Sequence, residues 1–112
     1  MNQVILSTIK TALRAHKASS KLDAIKFFCQ THEHWSLLLN VIDTHYKDMV
    51  MTKSDLLAFL ECSYKTKNTY IKEAIGRGYF LTKDNPKDKR SVIITPSYKM
   101  LSQFKKYSSL VN

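Results

Sequence analysis

Glycine and proline are nearly missing from this chain, which holds two of each in 112 residues. A fold made of many strands needs turn residues at every reversal, so this scarcity argues against sandwiches and barrels and for a mostly helical protein. Cysteine is as scarce, with only Cys29 and Cys62, too few for a disulfide framework. No run approaches the roughly 20 apolar residues of a membrane span. The apolar start MNQVILSTIK has no basic leader before it and no clean small-residue cleavage site after it, so it does not read as a secretory signal. The cytoplasm is the expected location. Glycine-rich phosphate loops, nucleophile elbows and carboxylates paired for acid–base work are also lacking, so neither an enzyme nor a cofactor is expected. Acid is short as well: nine Asp and Glu face 18 Lys and Arg, a net charge of +9.

What is present is a chain of one-domain length with ordinary apolar content, 44% hydrophobic and 11% aromatic. Its charge is lopsided. Residues 1–61 carry seven basic and six acidic residues, whereas 62–112 carry eleven basic and three acidic, a net +8. A polyanionic partner, nucleic acid or an acidic membrane surface, is one reading of that excess, and a solubilising surface is the other. Placement decides between them.

Residues 3–17 form a helical stripe through Val4, Ile5, Ile9, Ala12 and Leu13, and Ala18-Ser19-Ser20 reads as a break. A helical pattern resumes over 22–30. THEHW is a turn or a helix start. The dense apolar run from Trp35 to His45 marks a helix near the centre of the core. From Met51 the punctuation sharpens. Thr52 is an N-cap with Asp55 three residues on, partly a capping box, and the helix that follows ends near Glu61-Cys62. Ser63 caps a second helix running to Gly76 or Arg77, with Gly78 at the position of a C′ glycine. The period then changes: Tyr79 to Thr82 is a strand, Lys83 to Lys89 a polar loop, and Ser91 to Ile94 a returning strand. Thr95-Pro96 reads as an N-cap and first-turn proline for a last amphipathic helix over 96–110. Helix, turn, helix and basic hairpin, in that order, make a winged helix-turn-helix over residues 51–95. The expected fold is mainly α with a small β-hairpin wing.

Several residues strengthen this. Leu56, Leu60, Ser63, Thr66, Tyr70, Ile71 and Gly78, followed by Asp88-Lys89-Arg90 and a strand ending in Thr95, resemble the MarR-like family of winged helix-turn-helix transcription regulators. The resemblance spans Thr52 to Ser97. It implies a wing lying along the DNA minor groove, with Arg90 as the arginine reaching into it and Asp88 orienting the neighbouring basic groups. It also implies that the terminal segments, 1–30 and 96–112, hold two subunits together about a two-fold axis. An inducer pocket lies between the DNA-binding lobe and the dimer helices in that family, and no inducer is assigned to this chain. The other use of those helices is to finish the monomer's own core.

Residue chemistry fits DNA. Lys65, Asn68, Thr69 and Lys72 project outward together by helical spacing. Asn suits adenine in the major groove, Lys suits guanine edges or phosphates, and Thr66 and Thr69 suit phosphate oxygens or a thymine methyl. Lys83, Lys87, Lys89 and Arg90 crowd the hairpin tip. Residues 64–90 hold eight basic and three acidic residues, a net +5, enough to neutralise ~4–6 phosphates per subunit. The bland alternative for both groups is a solvated charged surface. The expected activity is that of a dimeric DNA-binding regulator that represses by occupancy, with double-stranded DNA and a second copy as its partners. Winged helices also serve protein or RNA contact, or plasmid and phage replication, and these readings stay open. Cys29, His32, Glu33 and His34 match no established metal spacing and read as surface histidines and a buried cysteine.

Overall fold

The computed structural model describes residues 2–112, and they form six helices and a two-stranded hairpin in the order α1 (Asn2–Lys21), α2 (Asp23–Phe28), α3 (His32–Tyr46), α4 (Lys53–Phe59), α5 (Tyr64–Gly76), β1 (Phe80–Asp84), β2 (Val92–Pro96) and α6 (Tyr98–Val111). The mainly helical fold with a hairpin wing is therefore what the chain adopts.

The centre is α3, as its apolar density predicts. Leu37, Leu38, Val41 and Ile42 are buried there against Ile25 and Phe28 of α2, Leu56 of α4, Ile71 and Ala74 of α5, Phe80 of β1, and Met100 of α6. Phe28 anchors an aromatic cluster, edge-on to Phe27 at 4.9 Å and stacked on Phe80 at 5.2 Å. Helix α3 starts at His32, earlier than Trp35, because Thr31 caps it by accepting from the His34 N–H. It ends in a Schellman turn, Met49 N–H to Thr44 C=O and Asp48 N–H to His45 C=O, with Asp48 at φ 54°.

Three local expectations are corrected. Ala18-Ser19-Ser20 does not break α1, which runs on to Lys21; both serine hydroxyls donate back within the helix to carbonyls one turn earlier, His16 and Lys17, at 2.8 Å, and offer the backbone no exit. The helix stops instead at Leu22, which is extended. Thr95-Pro96 is not a helix start. Both residues lie in β2, Pro96 pairs with Phe80, and Ser97 is the N-cap, accepting from the Met100 N–H at 3.1 Å. Lys83 belongs to β1, opposite Ile93, and not to the loop.

Not all of 1–30 is available to a partner. Helix α2 is a core element, with Ala24, Ile25, Phe27 and Phe28 buried and its Ala24 N–H accepted by Gln103 of α6 at 2.8 Å. Helix α1 is different. It packs on α6 and α2 yet buries only Ala18, and Ile5, Leu6, Ile9 and Leu13 are all about half exposed. Its projection makes the molecule long, 53 × 28 × 24 Å, with a radius of gyration of 15.4 Å against about 13 Å for a compact chain of this length. No described helix is long and apolar enough to cross a membrane.

Candidate nucleic-acid interface

The helix-turn-helix is fixed by its caps. Thr52 Oγ1 accepts from the Asp55 N–H at 3.1 Å while Asp55 Oδ2 accepts from the Thr52 N–H at 3.4 Å, so the aspartate completes the box usually closed by Glu or Gln. Ser63 caps α5 by accepting from the Thr66 N–H. At the far end Gly78 adopts φ 77° and closes a Schellman turn, with Tyr79 N–H bonded to Ala74 C=O. A side chain there would be strained, which is why glycine stands at that position. Helix α4 is shorter than expected, ending at Phe59 with Leu60 extended.

Helix α5 presents a clear outer face. Lys65, Thr69 and Lys72 are exposed, and Ile71 and Ala74 are buried on the opposite side. The Thr69 hydroxyl donates to the Lys65 carbonyl at 2.8 Å and is thus engaged within the helix. Thr66 is half-buried, its hydroxyl held by Ser63 at 2.9 Å within the cap. Asn68 departs from its expected place. It sits on the shoulder of the helix, half-buried, with Oδ1 buried and without a hydrogen-bond partner. A paired contact to adenine needs both amide atoms at the surface, so Asn68 is not presented with Lys65, Thr69 and Lys72. Tyr64, the first residue of α5, is 65% exposed at the same end.

The wing is two successive turns, and the sequence spells them twice. Asn85 C=O accepts from the Asp88 N–H, and Asp88 C=O accepts from the Ser91 N–H. In each turn the first side chain accepts from the residue two places on: Asn85 Oδ1 from Lys87 N–H and Asp88 Oδ1 from Arg90 N–H, both at 3.0 Å. Asn85 Nδ2 then reaches across to Ser91 Oγ at 2.9 Å and closes the loop. Lys87, Lys89 and Arg90 are thereby held at the tip, fully outward, with the Arg90 side chain 94% exposed. Asp88 also lies 3.6 Å from Arg90 Nε. The orienting part expected of Asp88 has a physical form here. Asn85, which has an equal share, is missed by residue-type reasoning, although an Asn-Pro-Lys-Asp string signals such a turn. The wing base is tied to the first helix of the pair: Thr52 bridges Ile93, and the Ile94 N–H donates to Met51 C=O at 2.8 Å.

Charge on these faces is largely unneutralised. Among the described residues only two ion pairs form, Lys47 with Asp43 and Arg90 with Asp88. Lys65, Lys72, Lys83, Lys87 and Lys89 have no carboxylate within bridging distance. Lys67 is an exception of another kind, turned inward to the carbonyls of Leu57 and Leu60 at 2.6 and 3.3 Å. Its helical position, four residues before buried Ile71, is the signal that it faces in.

The Cys29 and His34 expectations are reversed. Cys29 is exposed, and His34 is the buried residue, 3% exposed. The His34 ring stacks on Tyr70 of α5 at 3.8 Å and lies edge-on to Phe27. Its Nδ1 is 2.8 Å from Thr31 Oγ1, while Nε2 is buried and unpartnered. Burial pushes the imidazole below its ordinary pKa, against the opposite pull of Glu73 and Glu33. No group of three or more potential metal ligands is found among the described residues.

No protein-family model and no curated protein matches the chain. Solved structures do. The chain is similar to MepR from S. aureus, with a TM-score of 0.70 at 13% identity, covering 97% of this chain and 73% of that one. The S. aureus MepR–DNA complex superposes at 0.67 and 12% identity, over 98% and 82% of the two chains. E. coli MarR complexed with operator DNA gives 0.64 at 16% identity, over 99% and 72%. Nearly the whole chain, including α1 and α6 outside the helix-turn-helix and wing, thus follows the winged helix-turn-helix fold of MarR and MepR.

Proposed function

We propose that the chain is a sequence-specific, double-stranded DNA-binding transcription regulator that acts as a homodimer and represses by occupying its operator. The observation that carries this reading is the set of cations left without carboxylates on two exposed features, Lys65 and Lys72 on α5 and Lys83, Lys87 and Lys89 on the wing, joined at the wing tip by Arg90, which pairs with Asp88 yet keeps its side chain 94% exposed. The similarity in fold to structures of MarR and MepR solved with DNA supports it. Helix α5 enters the major groove, with Lys65 and Lys72 on base edges or phosphates and the Thr69 methyl against thymine. The wing tip follows the minor groove, where a narrow A·T-rich tract draws in Arg90. Thr66 and Asn68 stay in the candidate set as flanking contacts, Thr66 at the helix start and Asn68 after rotation of its amide.

The dimer reading rests on α1, whose apolar stripe has no cover in the monomer. Two copies joined there would present two α5 helices to successive grooves, and the operator would be an inverted repeat with half-sites about 10 base pairs apart. Selection of bound duplexes from a random pool tests binding, symmetry and sequence together. The expected product is an inverted repeat whose affinity falls steeply with salt, with a log–log slope of about −4 to −5 per subunit from ~4–6 phosphates. Arg90→Ala should weaken binding most on A·T-rich flanks. A pool that yields no enriched duplex, or a flat salt response, would overturn the reading.

A further inference from the structure

Lys67 is a basic residue in the middle of α5 that points away from the proposed DNA face. It lies on the far side of the helix from Lys65, Thr69 and Lys72, with buried Ile71 and Ala74. Its half-buried stem carries the ammonium back to α4, where Nζ donates to Leu57 C=O at 2.6 Å and to Leu60 C=O at 3.3 Å. Those carbonyls need a donor. Helix α4 has seven residues, no glycine beyond its end and an extended Leu60 at its C-cap. No backbone N–H of Glu61, Cys62 or Ser63 returns to it among the described residues. The last carbonyls of a helix are orphaned and sit at the negative end of its dipole, where a cation is favoured. The donor that meets them here comes from the next helix.

We infer that Lys67 is a positioning residue for α5: its ammonium caps α4 from outside and so sets the angle at which Lys65, Thr69 and Lys72 are presented. The inference rests on the reading of α5 as the DNA-reading helix. Ser63 caps the start of α5 locally, but among the described residues only Lys67 bonds a side chain of α5 to the backbone end of α4. A lysine suits the task because a long flexible stem delivers several donors to two carbonyls at once. Loss of the ammonium leaves the cap unmade and lets α5 swing against α4. Discrimination between sequences then suffers, while the number of phosphates contacted does not change.

Two measurements test this. In the first, the wild-type chain is acetylated with an amine-selective reagent, free and bound to a duplex recovered by random-pool selection. Lys67 should react several-fold more slowly than Lys65 and Lys72 in the free protein and change little on binding, whereas Lys65 and Lys72 become protected. Fast reaction of Lys67 when free, with protection by DNA, would make it a DNA contact and overturn the proposal. In the second, binding of the selected duplex and of a random duplex is compared over a range of salt concentrations. Lys67→Met should lower the preference for the selected duplex by about tenfold, the worth of one lost base contact, with the salt slope unchanged. Lys67→Arg should restore most of it. Lys72→Met should instead reduce the slope by about one phosphate. A reduced slope in Lys67→Met, or an unchanged preference, counts against the inference. Should Lys67→Met not fold, the acetylation of the wild-type chain decides alone. If no duplex binds at all, the DNA reading falls and the role in reading falls with it, while slow acetylation still identifies the cap.

Discussion

Protonating His34 would place a positive charge between the Phe27 and Tyr70 rings, where Nε2 has no partner. The folded chain therefore holds the imidazole neutral, with its pKa below the ordinary 6.5, for reasons of burial that Glu73 and Glu33 only partly oppose. The sign follows. An unfolded chain takes up the proton as pH falls through about 6.5, and the folded chain resists, so protons favour unfolding. Stability is full above that value and declines down to the depressed folded pKa. Urea unfolding at pH 7.5 and pH 5.0 should show a larger loss for the wild type than for His34→Phe, which keeps the stack on Tyr70 and has nothing to titrate. Equal losses would show that His34 does not couple folding to pH. Residues of this kind are poorly legible in a sequence. Spacing tells which face of a helix a side chain occupies, and it placed Lys65, Thr69 and Lys72 outward. It does not tell that a histidine will stack on an aromatic ring 36 positions away, or that a lysine will find two carbonyls on the previous helix. Asn68 shows the opposite failure: a residue type suited to reading adenine stands on a shoulder where its oxygen is buried.

Among the elements, the wing is the one whose shape depends most on single polar side chains. Asn85 accepts from Lys87 N–H and donates to Ser91 Oγ, and Asp88 repeats the first of these bonds one turn later. Both lie in an exposed loop, so their replacement costs little global stability, on the order of 0.5–1 kcal/mol. The effect on function should be larger than that. Asn85→Ala is expected to loosen the tip and reduce the preference for A·T-rich flanks several-fold, without the loss of charge that Arg90→Ala brings. Competition between duplexes with A·T-rich and G·C-rich flanks measures it, and an unchanged preference would mean that the tip is ordered by other means. Three element boundaries were legible because a cap uses a local rule. Thr52, Ser63 and Gly78 stand where a side-chain oxygen or a positive φ is needed, and each does what its residue type predicts. The rule misleads in two ways. Ser19 and Ser20 have a second local use, bonding back along an α1 that stays intact, and Pro96 ends an edge strand because Phe80 takes it as a pair.

At the scale of the whole molecule, the feature that calls for a partner is α1. Most of a helix's stability in a protein comes from packing its apolar face, and this one, 20 residues long, buries a single residue while Ile5, Leu6, Ile9 and Leu13 share an open face. Helix α6 covers part of the remainder, leaving a stripe that a second copy can fill by two-fold pairing. Ile9→Glu/Leu13→Glu tests the pairing without touching the helix-turn-helix or the core. Both side chains are about half exposed in the monomer, so unfolding of the winged helix-turn-helix should shift little. Light scattering should give twice 13.0 kDa for the wild type and 13.0 kDa for the double variant. DNA binding should part company with mass: affinity for an inverted repeat falls at least tenfold as the linkage between two sites is lost, while affinity for a single half-site stays the same. A monomeric wild type would remove the two-fold argument. A variant that remains dimeric would move the interface away from α1.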